Sequence, residues 1–482
     1  GSAASWRAVT QSPVQDLLSG IPCPADGNGA VRDIYQTDLT TGVIQLLSLA
    51  PGGAPANGPS ITPSLAAGSL AVAFASAASN LVPGDGSGRN EVFVREATGR
   101  IQRASVAGDG RQSNGDSSQP RISADGRFVA FTSSASNLVP GDTTGALDIF
   151  VRDMVAGTTT RASVATGGGE ANGASYNPAI SPDGSFVSFT SNATNLVADD
   201  GNGVADVFLR DLVRGITTRV SVSTDGSEQN ASITPPFTQV SDVSRDGRFV
   251  TFDSDASNLV SGRGNSRTNV FVHDVNHHVT SRISVSSSGE PAANDSFAPV
   301  ITPDGRFIAF ESFADNIAFG DAPGEDIFVH DRTRGTTVVA DVSADGSPRG
   351  PEVTRPLLQR PSISDAGTVL ALQSGADNLV PNKTNGLDDI FVRRLTPVPS
   401  ARVARSVAVH GKHATVRFSS GDPTAGVVLC RLDRRTQQLC PLGATKFSNL
   451  KPGRHVVRGY AGGPGSLFSL TPLVVHFRVP RR

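Results

Sequence analysis

The chain is poor in the residues on which much protein chemistry depends. Its 482 residues include three Cys, one Met, one Trp and three Tyr. No run of about 18 apolar residues occurs, so no segment qualifies as a membrane-spanning helix. The formal net charge of -2 offers no attraction to nucleic acid or to an anionic membrane. The motifs G-x-S-x-G, H-E-x-x-H, C-x-x-C and the P-loop are absent, which excludes the enzyme classes that need them. No alternating strand–helix block is present to supply a hydrolase domain. The scarcity of Trp and Tyr leaves little for a sugar ring to stack on. The chain opens on Gly1-Ser2, which looks like a tag remnant; no signal peptide follows, so a leader is expected to have been removed.

What the chain does have is a segment that returns every ~57–63 residues. Residues 123–142 read SADGRFVAFTSSASNLVPGD, and residues 181–200 read SPDGSFVSFTSNATNLVADD. A unit of this length cannot bury its apolar face alone and stacks on copies of itself. Each unit holds four strand-like runs: one ending at Pro120 to Ser123, then RFVAF, DIFVRD and TTRASV. Asp125-Gly126 signals a two-residue hairpin turn in which both residues accept positive φ. Along DIFVRD, Ile149 and Val151 point one way and Phe150 the other. A sheet apolar on both faces must be covered on both, and radial stacking of blades does this. The expected fold is therefore all-β, a β-propeller of four-stranded blades. The third run starts seven times, at Asp33, Glu91, Asp148, Asp206, Asn269, Asp326 and Asp389, but the first run and its turn occur six times. WRAVTQS reads as a worn second strand, and FVRRLTPVPSARV (391–403) has room for a last fourth strand. Seven blades are favoured, with six as the alternative.

The signature S-x-D-G-R-F-V-A-F followed by D-I-F-V-R-D resembles the TolB-like, WD-type β-propeller repeats of bacterial envelope and secreted proteins. That resemblance implies a protein-binding module outside the cytoplasm more often than an enzyme. The expected domains are residues 1–5 as a flexible start, 6–399 as the propeller and 401–482 as a second unit.

After Pro397-Val398-Pro399 the repeat stops, and short alternating runs such as HATVRFSS, VVLCRLD and PLVVHFRV fit a small β-sandwich. Cys430 and Cys440 lie close in sequence, which favours a disulfide and an oxidising compartment over two reduced core thiols. Cys23 stands alone and reads as a small buried or loop residue. C-x-L-D…C followed by L-x-x-G-x-H resembles Ig-like domains appended to bacterial surface proteins, matched by Cys430, Leu432, Asp433, Cys440, Leu450, Gly453 and His455. The Gly-rich turn usual after Leu-Asp is replaced by Arg434-Arg435.

Two groups of residues are candidates for function. The first lies between the second and third runs. Asp200, Asn202 and Asp206 surround a Gly turn, as do Asp26, Asn28 and Asp33, and Asp142 stands before Asp148. Spaced oxygen ligands of this kind suit Ca²⁺, although the first acid of the usual loop is missing and no distal bidentate Glu follows. The other reading is an Asx turn. The second group sits where the repeat breaks, at 232–242, 273–279 and 343–361, because loops freed from the blade rule can carry recognition. It comprises His273 and His277, and the charged insertion with Arg349, Glu352, Arg355 and Arg360. His273 and His330, which replace the Arg of FVRD, read as exposed strand-end residues, and the Arg and Asp of FVRD read as a blade-to-blade ion pair. The expected function is a non-enzymatic extracytoplasmic binding or scaffold protein, secreted, periplasmic or on the cell surface, acting as a monomer on a protein or peptide. The alternatives are a Ca²⁺-dependent adhesive surface protein and a propeller lyase or hydrolase acting on polysaccharide. No cofactor other than Ca²⁺ is suggested.

Overall fold

The computed structural model describes residues 7–12, 31–231, 239–261, 267–318, 323–343, 347–350, 360–381, 383, 389–395, 407–418, 427–433, 438–441, 443–462 and 473–480. Among the described residues all regular structure is strand. Seven antiparallel sheets follow one another from Arg7 to Arg394. Their third strands are Asp33–Asp38, Glu91–Arg95, Asp148–Asp153, Asp206–Asp211, Asn269–Asp274, Asp326–Asp331 and Asp389–Arg394. The second to sixth sheets are four-stranded, and the first and seventh have three described strands each. Arg7–Ser12 pairs with Asp33–Asp38, as expected of a worn second strand.

The third sheet shows how the repeat builds a blade. Its strands are Ser117–Ile122, Phe128–Ser133, Asp148–Asp153 and Thr158–Arg161, side by side in chain order. Phe131 pairs with Phe150 across the ladder, and their ring centroids are 5.9 Å apart. Both rings face the second sheet, against Ala73, Val92, Val94 and Ala104. The alternate residues Ala130, Ile149 and Val151 face the fourth sheet, against Val187, Phe189 and Phe208. The same Phe pair recurs as Phe74–Phe93, Phe189–Phe208, Phe252–Phe271 and Phe310–Phe328. Period-two patterning thus gives each sheet a large face and a small face, and the sheets nest as β-propeller blades do.

The turn between first and second strands differs from the expected two-residue hairpin. Ser123 N donates to Phe128 O, and Gly126 N donates to Ser123 O, so four residues form the loop. Only Gly126 takes positive φ, at 79°. Asp125 instead accepts from Ser123 Oγ (2.5 Å) and Arg127 N (3.0 Å), closing the turn from its own side chain. The glycine has a second reason to recur. A Cβ on Gly184 would overlap the Phe128 ring of the preceding sheet, and one on Gly305 would overlap Phe249. Phe128 also carries the Arg127 guanidinium, 4.7 Å from the ring centre. Arg127 in turn pairs with Asp153 at 2.7 Å, which holds that carboxyl down at about 2.

The Arg and Asp of FVRD do not pair from blade to blade as the sequence suggests. Asp153 stays within its own sheet, on Arg127. Arg152 does cross to the preceding sheet, but to the Ala107 carbonyl at 3.3 Å, and Arg210 repeats this on Ala165 O. The crossing is a charged hydrogen bond to backbone and has no ionic partner.

Beyond Val407, two further sheets share one core of Ala414, Val416, Phe418, Val428, Leu432, Phe447 and Val457. Cys430 and Cys440 are joined by a disulfide buried in it. Asp433 and His455, two positions of the Ig-like signature, meet at 2.7 Å, and the imidazole lies on the Phe477 ring.

The paired Phe rings should dominate stability. Phe252→Ala is expected to cost about 3–5 kcal/mol in urea unfolding, whereas Val155→Thr, at an exposed turn, should leave the midpoint in place.

Candidate functional site

The first strands of the sheets hold the side chains that vary most between repeats. Four of them, in the second, third, fourth and sixth sheets, are interrupted by a bulge, between Ile61 and Ser64, Ser118 and Arg121, Tyr176 and Ala179, and Phe297 and Val300. At each bulge a residue other than glycine takes positive φ before a proline: Thr62 (51°), Gln119 (53°), Asn177 (54°) and Ala298 (53°). Proline cannot donate to the ladder, so the strand bends there and re-aims its side chains. The re-aimed groups reach from sheet to sheet. Gln119 Nε2 donates to Asn177 Oδ1 at 2.6 Å, and Asn177 N donates to Gln119 Oε1 at 3.2 Å.

Arg360 occupies the same place in the seventh sheet, before Pro361. Its Nη2 donates to Ser241 O (2.7 Å) in the fifth sheet and to Pro299 O (3.1 Å) in the sixth. One guanidinium therefore ties three sheets where their first strands converge. Asp242 Oδ2 lies 3.9 Å from it and accepts from Ile301 N at 3.0 Å. Asp253 is fully buried nearby, and burial pushes its carboxyl up to about 6. Arg121 faces the same centre. Burial, with the like charge of Arg360 and against the pull of Asp242, lowers it to about 9.

The acids read as metal ligands lie elsewhere, and two of their groups surround a side-chain cation. Arg161 Nη1 stands 3.5 Å from Asp142, 3.5 Å from Asp148 and 2.7 Å from Glu170. Arg219 does the same for Asp200 (3.3 Å), Asp206 (3.6 Å) and Glu228 (2.5 Å). Asp148 and Asp206 also accept from Ser163 and Ser221, and Asp33 accepts from Ser48, each at 2.5 Å. Asn202 makes an Asx turn with Val204 N (3.1 Å) and donates to Asp206 (2.9 Å). Burial pushes Asp142 and Asp206 up to about 6. A divalent cation at either cluster would have to displace a guanidinium. Asp26, Asn28 and Cys23 lie outside the described residues.

The candidate recognition loop is not brought together as a surface. Arg349 is only 8% exposed and lies 2.7 Å from Asp326 and 3.4 Å from Asp341. Its place has a physical reason. The cation that ends the fourth strand elsewhere, as at Arg103, Arg161 and Arg219, is Val339 in the sixth sheet, while Asp341 replaces the usual Ser. Arg349 restores the missing charge from the next segment. Arg360 is committed to the convergence of the first strands, and Glu352 and Arg355 lie outside the described residues. His273 and His330 are not exposed strand ends but 2% and 5% exposed, each with Nδ1 on a threonine, Thr280 (2.8 Å) and Thr337 (2.9 Å). Burial lowers both to about 4. His277 is apart from His273, 3.0 Å from Asp274. Arg121, Glu170 and Glu228 were not singled out in the sequence; the departure of Arg121 from the small residue at the matching place in the fourth sheet, Ala179, is the signal that could have found it.

Solved structures offer partial likenesses. TolB from Acinetobacter baumannii is 14% identical, with a TM-score of 0.38, over 75% of this chain and 73% of that one. An oligogalacturonate lyase in complex with manganese is 11% identical, with a TM-score of 0.42, over 93% of this chain and 99% of that one. A puromycin-hydrolyzing peptidase of Mycobacterium tuberculosis is 12% identical, with a TM-score of 0.41, over 84% of this chain and 53% of that one. At these values the likenesses carry no argument about activity. No family model and no curated protein matches the chain.

Two predictions follow from the buried charges. His273 and His330 stay neutral in the fold, while the unfolded chain takes up protons below its ordinary pKa of 6.5, so folding stability is lost as pH falls from 6.5 toward 4. At pH 5 the loss is roughly 2 kcal/mol per histidine, and urea unfolding of a His273→Gln/His330→Gln variant should show a correspondingly flatter dependence. Arg161→Met leaves three carboxylates without their cation and should cost about 3–5 kcal/mol. In thermal melts, millimolar Ca²⁺ against EDTA should move the Tm of that variant and leave the native protein unchanged.

Proposed function

We propose that this chain is a non-enzymatic, extracytoplasmic binding protein: a seven-bladed propeller over residues 6–399 that carries an Ig-like unit over 401–482. Seven successive sheets support the blade number, and the last fourth strand expected within 391–403 lies outside the described residues. The Cys430–Cys440 disulfide supports an oxidising compartment. One observation carries the binding reading. The recurring polar groups are consumed by the scaffold, whereas non-repeating ones, Arg121, Asp242, Asp253 and Arg360, gather where the first strands meet. A scaffold that repeats everywhere except at its centre has that centre free for recognition. The ligand is a protein or peptide.

The second reading is an enzyme acting on polysaccharide. It draws on Asp253, because a buried carboxyl poised at about 6 near the Arg360 guanidinium is what acid–base catalysis uses. The Ca²⁺-dependent adhesive reading is the less supported, because Arg161 and Arg219 already neutralise the acids it would need.

Immobilised full-length protein should capture a partner from the envelope and secreted fractions of a bacterial culture. That partner, purified, should bind it saturably in calorimetry. Release of unsaturated or reducing ends from polysaccharide, lost in Asp253→Asn, together with no saturable protein partner, would replace the binding reading by the enzymatic one.

A further inference from the structure

We propose that the C-terminal unit is an anchor for a phosphodiester polymer of the cell envelope, a chain of alditol phosphates without bases. Two arginine pairs on one sheet face hold it, Arg431 with Arg458 and Arg454 with Arg478. The choice of polymer rests on the extracytoplasmic reading above.

The small net charge of the chain hides two opposite charges. Residues 401–482 hold 14 Lys and Arg against two Asp and no Glu, a formal +12, which leaves -14 on residues 1–400. Asymmetry of this size between two parts of a chain points to contact with a polyanion.

The fold gathers part of the positive charge on one surface. Val427–Leu432, Gly453–Gly462 and Leu473–Val479 lie side by side in the four-stranded C-terminal sheet. Val428, Leu432 and Val457 point into the core, so the alternate residues point out. Arg431 stands directly opposite Arg458, and Arg454 directly opposite Arg478, all four exposed. Opposed residues have Cβ atoms about 4.5–5.5 Å apart, and like charges placed so cost stability. The two pairs are separated by about 13 Å along the strand. No carboxylate relieves them. Asp433 is taken by His455 at 2.7 Å, and none of the four guanidinium groups has a hydrogen bond or ion pair among the described residues. The blades treat their arginines differently: Arg127 has Asp153, and Arg161 has three acids. A face that served solubility alone would mix the two signs.

The pairing narrows the anion. A carboxylate offers two oxygens, which a single arginine fork fills. A phosphodiester turns its oxygens to more than one side of a tetrahedral phosphorus, so two guanidinium groups one ladder rung apart can share it. Between the pairs stand Val456, His476 and Val474, and valine is too short to pass a headgroup layer as an interfacial anchor does. The Cys430–Cys440 disulfide favours an oxidising compartment, which sets nucleic acid aside. The same polymer repels residues 1–400, so it takes up the C-terminal unit and leaves the blades to their own ligand.

Labelled oligomers of glycerol phosphate, thymidylate and glutamate, equal in length, and phosphatidylglycerol vesicles separate the sources of negative charge. In fluorescence anisotropy with the full chain at low salt, the glycerol phosphate oligomer should bind saturably and more tightly than the other two, and vesicles should not sediment the protein. Arg431→Gln/Arg458→Gln and Arg454→Gln/Arg478→Gln should each weaken binding by about tenfold or more. Each should also lower the slope of log affinity against log salt by about two. Arg100→Gln/Arg111→Gln removes the same charge from exposed positions of the propeller and should leave binding unchanged. The Tm of both pair variants should equal or exceed that of the native protein, which a structural role would not allow. Failure of the glycerol phosphate oligomer to bind, undiminished binding by the pair variants, an equal loss in the propeller control, or binding of thymidylate, glutamate or vesicles as tight as that of the oligomer would each overturn the proposal. Recovery of the native chain from the cytosolic fraction strikes the extracytoplasmic reading itself, whereas a captured protein partner without polymer binding strikes the anchor alone.

Discussion

The repeat depends on one constraint: the second to sixth sheets are each apolar on both faces, and the faces are of different size. Two phenylalanines on one side press into the small Val and Ala side of the sheet before. A buried Phe contributes about 1.5–3 kcal/mol, and offset ring pairs add about 0.5–1.5 kcal/mol. These contacts repeat from sheet to sheet as Phe74–Phe93 through Phe310–Phe328, and they set the spacing into which everything else must fit. The glycines of four D-G and A-G turns, Gly184, Gly247, Gly305 and Gly367, obey that spacing, because each lies against a phenylalanine of the preceding sheet.

Charge is handled as an internal matter of each blade. Acids that begin the third strand are buried, so each needs hydrogen bonds and a cation close by. Arg103, Arg161 and Arg219 supply it from the end of the fourth strand. Where Val339 interrupts that series, Arg349 arrives from the following loop, and in the seventh sheet Lys383 stands beside Asp389. The cation is retained while its origin in the chain changes. The convergence of the first strands follows the opposite rule, since there the charges are not balanced blade by blade.

Alternation along RFVAF and DIFVRD made the strands, their order and their two-sided burial legible in the sequence. WRAVTQS was legible as a worn strand because it kept the period of two. Depth and long-range partners were not. The acids near Asp200 and Asp142 were visible, but the guanidinium that meets them lies a strand away, and pattern alone does not place it. His273 looked like a strand end because it takes the place of the Arg of FVRD, yet it is buried with its threonine partner. The bulges were hidden for a related reason: an x-Pro pair in a strand marks an irregularity without telling which way its side chains turn.

The unequal faces give the series of blades a direction. Each sheet offers its phenylalanines backward and its small residues forward, so the contact between blades is head-to-tail and no blade is equivalent to itself turned round. Such a contact sets no length of its own; it extends until the accumulated rotation brings the last forward face to the first backward one. A whole unit could be gained or lost without altering any contact between the units that stay. In a series that closes into a ring, the number of blades is fixed by closure alone, and the width of the opening it leaves is a property of the count rather than of any single blade.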